Sequence, residues 1–209
     1  MDKAIVIGGG GHAKVVMDIM QRMGNYELVG FTDNEEQPEL CGVPYLGNDS
    51  ILPTLLNKGV THFCVGIGDN RIRKKLFYKL LSIGLTPVNV ISPNAYISPY
   101  AKLGHGIVIM PGVVVNSHSV IADNVIINTL SGVDHDCRVS SHAHIAPGVS
   151  LTGNVIVGEG AFLGTGSKVI PGVCIGEWST IGAGAVVLSD VPSETTVVGV
   201  PADKIINRG

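Results

Sequence analysis

A small α/β domain followed by a regular repeat of short strands and tight corners is the architecture this sequence predicts, on three observations. The second half carries an unbroken six-residue repeat. The start joins a short apolar run to four glycines and then to a helical pattern. The composition has 28 glycines among 209 residues, 45% hydrophobic, 5% aromatic and 15% charged, which is too apolar for disorder and too poor in rings for an ordinary Leu/Phe-packed core.

The repeat comes first because it sets the fold. Every sixth residue from Ile91 to Val187 is aliphatic, seventeen positions with no slip and no insertion. Four residues after each stands Ala, Ser, Cys or Val in 16 of the 17 cases, Ile107 being the exception. Three residues after each stands Gly, Asn or Asp in 12 of the 17, the residue types that tolerate φ > 0. The physical reading is a short strand and a tight corner every six residues. One large and one small side chain then point inward at each repeat and fill a narrow interior without aromatics. A six-residue period cannot stay on one face of an α-helix.

The N-terminal half follows other rules. Ile5, Val6 and Ile7 form a strand-like run before Gly8–Gly11, and Val15, Val16, Ile19 and Met20 follow at helical spacing. Strand, glycine turn and helix start are the arrangement in which backbone N–H groups cradle a phosphate. The glycines fit GxGxxA at Gly8, Gly10 and Ala13, so Gly10, Gly11 and His12 are candidate phosphate-binding residues. A second strand ends at Asp33 and Asn34, where a Rossmann-type fold places a ribose-binding acid. A third run, Thr61 to Ile67, brings Gly66 and Asn70 to the same end, before a helix rich in basic residues. With about 88 residues there is room for one mononucleotide half only, so the expectation is a half-Rossmann-like domain over 1–88 that holds one nucleoside diphosphate. The repeats fill 89–209.

Charge and cysteines narrow the function class. Residues 1–88 hold 9 Lys/Arg and 9 Asp/Glu, and residues 89–209 hold 5 and 8, for a net charge of -3. That is not the basic footprint of a nucleic-acid binder. The mean hydropathy of +0.37 raises the question of a membrane. However, the uncharged run Leu103 to Ala122 is broken by His105, Pro111, Asn116, Ser117, His118 and Ser119, so no spanning helix is expected there. Cys41, Cys64, Cys137 and Cys174 stand far apart with no CxxC pair, which suits a reducing cytoplasm.

The hexads resemble the hexapeptide-repeat family, whose members wind a left-handed parallel β-helix of triangular section with three hexads per coil, usually as trimers. The handedness is taken from that resemblance. The pairing of a nucleotide-type α/β domain with this helix, and the segments GGGGHAKVV, IGDNRIRKKL, ISPNAYISPYAKLG, INTLSGVDHDC, SHAHIAPG, LTGNVIVGEG and VVGVPADKI, resemble the NeuD/PglD group of sugar acetyltransferases over nearly the whole chain. The resemblance implies an acetyl-CoA-dependent N-acetyltransferase. Its acceptor would be a nucleotide-linked 4-amino-4,6-dideoxy sugar, expected to be UDP-linked, in bacterial surface-glycan biosynthesis. O-acetylation of sialic acid or another sugar is the alternative.

Residue by residue, the resemblance places the general base at His135, its polarising acid at Asp136 and an acceptor-site asparagine at Asn128. His144 falls on a histidine associated with the acetyl group, and Gly153, Thr165 and Ala183 would lie along the coenzyme. Pro201 belongs to a tail near the adenine end, where Asp203 replaces a common Lys or Arg and Lys204 is the available substitute. Histidine suits the base role because it titrates near the working pH, and a carboxylate on one ring nitrogen leaves the other free to accept a proton. Direct transfer without an acetyl-cysteine is expected, with Cys137 dispensable.

No metal is expected. The hexapeptide-repeat resemblance also brings in the gamma-class carbonic anhydrases, which hold zinc between subunits with histidines such as His118, His135, His142 and His144 would supply. Their last two ligands stand five residues apart, and no histidine pair here does. His105, His118 and His142 are expected at exposed corners. His135 and His144 are separated by half of a three-hexad coil, so on one prism they should point to opposite sides. A site using both then lies between two subunits of a homotrimer.

Overall fold

The computed structural model describes residues 1–205, and the chain divides into two compact units, Met1–Pro93 and Asn94–Gly209. The first is built on a four-stranded parallel sheet. Strand β1 (Asp2–Ile7) is followed by helix α1 (Gly11–Met23), β2 (Tyr26–Thr32), α2 (Leu52–Asn57), β3 (Val60–Val65), α3 (Asn70–Ser82) and β4 (Thr86–Pro87). The strand order is β2-β1-β3-β4. The chain therefore winds outward from β1 in one direction and then crosses to its other side. The switch point lies between β1 and β3, and ligands of open α/β sheets bind outside the carboxyl ends of strands at such a point.

The sheet is apolar on both faces, as a parallel sheet must be. Ile5 and Ile7 pack with Leu52, Phe63, Phe77 and Leu80 on one side, and Ala13, Val16, Met17 and Met20 of α1 are buried. Helix α1 stops because Gly24 takes a left-handed φ of 65° and turns its N–H back to the Met20 carbonyl, a glycine C-cap. Helix α3 starts at Asp69, whose carboxylate accepts from the Ile72 N–H at 2.8 Å.

In the second unit two-residue strands recur every six residues, and from Tyr96–Ile97 through Val186–Val187 a strand ends on each of sixteen aliphatic positions. Successive strands fall on three faces in turn, and each residue pairs with its counterpart three hexads on, for example Val120 with Arg138, Ile126 with His144, and Gly132 with Ser150. In most strands the second residue is buried and the first is the more exposed, Val108, Ile126 and His144 being buried as well. Ile109, Ile127, Ile145, Leu163 and Ile181 thus stack as one fully buried column, each burial contributing about 1.5–3 kcal/mol. Every corner residue from Gly106 to Gly184, in steps of six, has φ between 56° and 77°.

Not all of these corners carry Gly, Asn or Asp. His118, Leu130, His142 and Trp178 adopt the same left-handed conformation. Backbone hydrogen bonds from the neighbouring coil impose it, such as His142 N–H to the Asp123 carbonyl and Leu130 N–H to that of Pro111. His105 and His118 are exposed. His142 is not: it is fully buried, with Nδ1 2.8 Å from Asn124 Nδ2 on the coil before. That corrects the expectation of an exposed corner, because a column of stacked corners gives a ring a polar partner inside the stack. After Val187 the period breaks, and Thr196 pairs with Thr180 across a separation shorter than a full coil. Among the described residues no helix is long and apolar enough to cross a membrane.

Candidate active site

In the first unit the glycines after β1 are required by close approach and by conformation. Gly8 has φ +106°, and a Cβ there would lie 2.9 Å from Ile67 Cγ1. A Cβ on Gly9 would lie 2.9 Å from the Phe31 ring and 3.1 Å from Asp33 Oδ2. Gly10 and Gly11 have open space where a side chain would stand. Gly10 caps α1 without a side-chain hydrogen bond, and the first turn of the helix holds no acidic residue. This is an electropositive helix start with accessible backbone, suited to an anion.

Asp33 braces that loop. Its Oδ2 accepts from Gly9 N–H at 2.6 Å and its Oδ1 from Glu35 N–H at 3.1 Å. Asp33 and Asn34 line a cleft of about 380 Å³ together with Gly8, Thr32, Asp49, Ile67, Lys75 and Lys79. Gly66 and Asn70 have other places. A Cβ on Gly66 would meet that of Ala13 at 2.8 Å, so this glycine lets β3 and α1 approach, and Asn70 is buried at the first position of α3. Burial, helped by the Arg73 charge, pulls His12 down to about 4, so at neutral pH its ring is uncharged.

Asp49, Lys75 and Lys79 are site residues that the sequence reasoning missed. Asp49 accepts from Thr32 Oγ1 at 2.9 Å and pairs with Lys79 at 3.4 Å. The readable signal is the i, i+4 spacing of Lys75 and Lys79, which puts both ammonium groups on one face of α3.

In the second unit His135 sits at the corner between strands Gly132–Val133 and Arg138–Val139. The left-handed turn at Asp136, φ 61°, swings its carboxylate back onto its neighbour, and Asp136 Oδ2 lies 2.8 Å from His135 Nδ1. The His135 N–H donates to Asp134 Oδ1 at 2.8 Å, and that oxygen also accepts from Asn116 Nδ2 at 2.9 Å. Asn116 stands one coil earlier than Asp134, so two successive coils hold the corner. These bonds keep the Asp134 carboxyl below the usual carboxylate range. The hydrogen bond to Asp136 raises His135 above the usual imidazole value, with smaller contributions from the Asp134 and Asp136 charges. With Nδ1 donating to Asp136, Nε2 is left to accept a proton on a half-exposed ring.

Gly153, expected along the coenzyme, lies directly beside the His135 ring. A Cβ on Gly153 would come within 2.5 Å of His135 Cε1 and 2.6 Å of Nε2. Cys137, next but one along the chain, is buried with its thiol donating to the Thr152 carbonyl at 3.1 Å. Burial raises its pKa, which disfavours the thiolate that a nucleophile needs.

Asn128, His144, Thr165 and Ala183 gather elsewhere on the prism. His144 leads strand His144–Ile145, on the face opposite the His135 corner. It is only 8% exposed, lies edge-on to the Phe162 ring at 5.2 Å, and its Nε2 is 3.3 Å from Asn128 Nδ2. Thr165 and Ala183 are exposed at the next corner, one coil apart, and Pro201 is exposed beyond the regular repeats. Among the described residues no group of three or more His, Cys, Asp or Glu side chains is placed to hold a metal ion.

Comparison with known proteins fits both halves. The PglD N-terminal domain model matches residues 3–80, and the bacterial transferase hexapeptide (six repeats) model matches residues 154–189. A histidine-to-asparagine mutant of perosamine N-acetyltransferase from Caulobacter crescentus, solved with CoA and GDP-perosamine, is 44% identical with a TM-score of 0.96, covering 100% of this chain and 98% of that one. The acetyltransferase domain of PglB from Neisseria gonorrhoeae, solved with acetyl coenzyme A, is 38% identical with a TM-score of 0.93 and 98% coverage of each chain. GDP-perosamine N-acetyltransferase from Escherichia coli is 28% identical over 173 residues, which is 80% of this chain and 77% of that protein. With its fold matched end to end at that identity, the chain belongs to the PglD/PerB type of acetyl-CoA-dependent acetyltransferases, in the hexapeptide superfamily whose β-helix is left-handed.

Proposed function

We propose that this protein transfers an acetyl group from acetyl-CoA to the amino group of a nucleoside-diphosphate-linked 4-amino-4,6-dideoxy sugar. The observation that carries the proposal is the His135–Asp136 pair, a basic imidazole with Nδ1 held at 2.8 Å by a carboxylate and Nε2 directed away from it. The sugar amine attacks the thioester carbonyl, a C–N bond forms and the C–S bond breaks. The proton lost from nitrogen passes to His135 Nε2 and from there to the departing CoA sulfur. Asp136 stabilises the imidazolium between the two transfers, and base catalysis of this kind supplies about 10²–10⁴ in rate.

The first unit takes the nucleotide, with the diphosphate at the Gly10–Gly11–His12 helix start and the remainder in the cleft of Asp33, Asn34, Lys75 and Lys79. Guanosine is the base to try before the uridine expected from the sequence, because the Caulobacter crescentus relative was solved with GDP-perosamine. His135 with Gly153 and His144 with Asn128 face opposite ways on one prism. A site that uses both sets is completed by a second subunit, and the homotrimer usual for this repeat provides one. We assign Asn128 to the acceptor, and His144, Thr165, Ala183 and Pro201 to the coenzyme.

The test is a steady-state assay with acetyl-CoA and, in parallel, GDP-perosamine, a UDP-linked 4-amino-4,6-dideoxy sugar and sialic acid, with products identified by mass spectrometry. Acetamide formation on a nucleotide sugar that falls at least about 100-fold in His135→Ala supports the proposal. Ester formation on sialic acid alone, or full activity in His135→Ala, overturns it.

A further inference from the structure

Arg73 is the largest fully buried side chain among the described residues, 1% exposed, in α3. Burial pulls its guanidinium only to about 10, so it is charged at neutral pH. Around it, Cys64 is pushed up to about 12 and His12 down to about 4, which leaves both uncharged, and Asp69 is the carboxylate whose charge favours the guanidinium. A charge this deep is costly unless something holds it. Arg73 Nη1 donates to the Gly68 carbonyl at 2.9 Å and, more weakly, to that of Ile67 at 3.4 Å. Those carbonyls belong to the turn that leads from β3 into α3. Ile67 is both a wall of the nucleotide cleft and the side chain against which Gly8 is fitted.

We propose that Arg73 is a positioning residue for the diphosphate: from inside the fold it clamps the Ile67–Gly68 turn against the glycine loop, and its charge behind that wall favours an anionic ligand at the start of α1. The inference rests on the nucleotide reading of this unit but goes beyond it, since Arg73 lies behind the ligand and does not touch it. Pulling both carbonyls inward fixes the direction of the peptide units that face the cleft. A lysine keeps the charge but presents a single donor site in place of a planar fork, so it can restore only part of the effect.

The test measures GDP and guanosine binding by calorimetry in the wild-type chain, Arg73→Lys and Arg73→Met, together with the His12 titration by NMR. The expected result is a GDP Kd raised about tenfold in Arg73→Met and less in Arg73→Lys, with guanosine binding changed far less. His12 should titrate higher in Arg73→Met, because a cation that opposes its protonation is gone. If Arg73→Met does not fold, Arg73→Lys carries the test through its GDP-to-guanosine ratio. Folded variants that bind GDP like wild type overturn the inference, as does an equal loss for GDP and guanosine. Failure of the wild-type chain to bind GDP or UDP would instead overturn the nucleotide reading itself.

Discussion

The imidazole of His135 rests on Gly153, one coil further along the prism, so closely that a methyl group there would stand 2.5 Å from Cε1. A ring held against bare backbone cannot move further toward the next coil. The absent side chain therefore sets where the His135 ring can lie. Gly153 does not occupy the left-handed region, so its substitution tests this contact without straining the backbone. In Gly153→Ala the ring is displaced, and kcat should fall about 100-fold, the usual penalty for a misplacement near 1 Å. Thermal unfolding should stay close to wild type. A kcat within about threefold of wild type would show that the contact does not position the base.

Asp136 raises the His135 pKa, and only the neutral imidazole can take a proton from the sugar amine. Activity should therefore rise with pH through a midpoint above the ordinary 6.5 of histidine. In Asp136→Asn the carboxylate is lost, the imidazolium is less favoured, and the midpoint of the kcat profile should move down toward 6.5 while the plateau drops. A pH–rate profile of the two proteins checks the direction, and a midpoint that stays put or rises would count against the dyad.

Asp33 receives the Gly9 N–H at 2.6 Å and thereby shapes the glycine loop. Asp33→Ala should raise the Kd for GDP about tenfold, the cost of one charge-assisted hydrogen bond. Activity at saturating nucleotide sugar should be affected much less. Calorimetry with GDP reads the first effect and saturation kinetics the second.

Leu130 is 72% exposed and sits at a corner with φ 58°, which costs a side chain with a Cβ about 1–2 kcal/mol. Glycine removes that strain and adds about 0.5–1 kcal/mol of backbone entropy cost. Leu130→Gly should therefore leave stability unchanged or improve it by up to about 1.5 kcal/mol, measured as the thermal midpoint. A clear loss would mean that the Leu130 contact over Gly112 outweighs the strain.

Much of this is readable because the hexad is a local code. Ile127, Ile145 and Leu163 fall on one inward column simply by being three hexads apart, and Gly148, Asn154 and Gly160 name their own corners. The His135–Asp136 pair is a contact between chain neighbours, which the motif can place. What escapes the sequence are contacts one coil away or across the α/β unit. Nothing in the segment LTGN says that its glycine lies beneath a histidine of the preceding coil, and the burial of His142 depends on Asn124 in the same way. The cleft shared by Asp49 and Lys79 needs the strand order to bring a loop after β2 beside α3. In the sequence Arg73 is one more base in a basic helix, and only the fold shows its side chain running inward.

Because every coil up to Val187 has the same length in residues, the prism acts as a ruler. Base, supporting glycine and bracing asparagine (His135, Gly153 and Asn116) are marks about one division apart on it. Removing or inserting a whole division beyond Gly153 keeps His135 over Gly153, although it displaces Thr165, Ala183 or Pro201. A single added residue between Asp136 and Gly153 shifts every later mark by one, turning inward aliphatics to solvent and parting the ring from its support without altering either residue. Such indels should be far rarer among relatives than substitutions at the same positions.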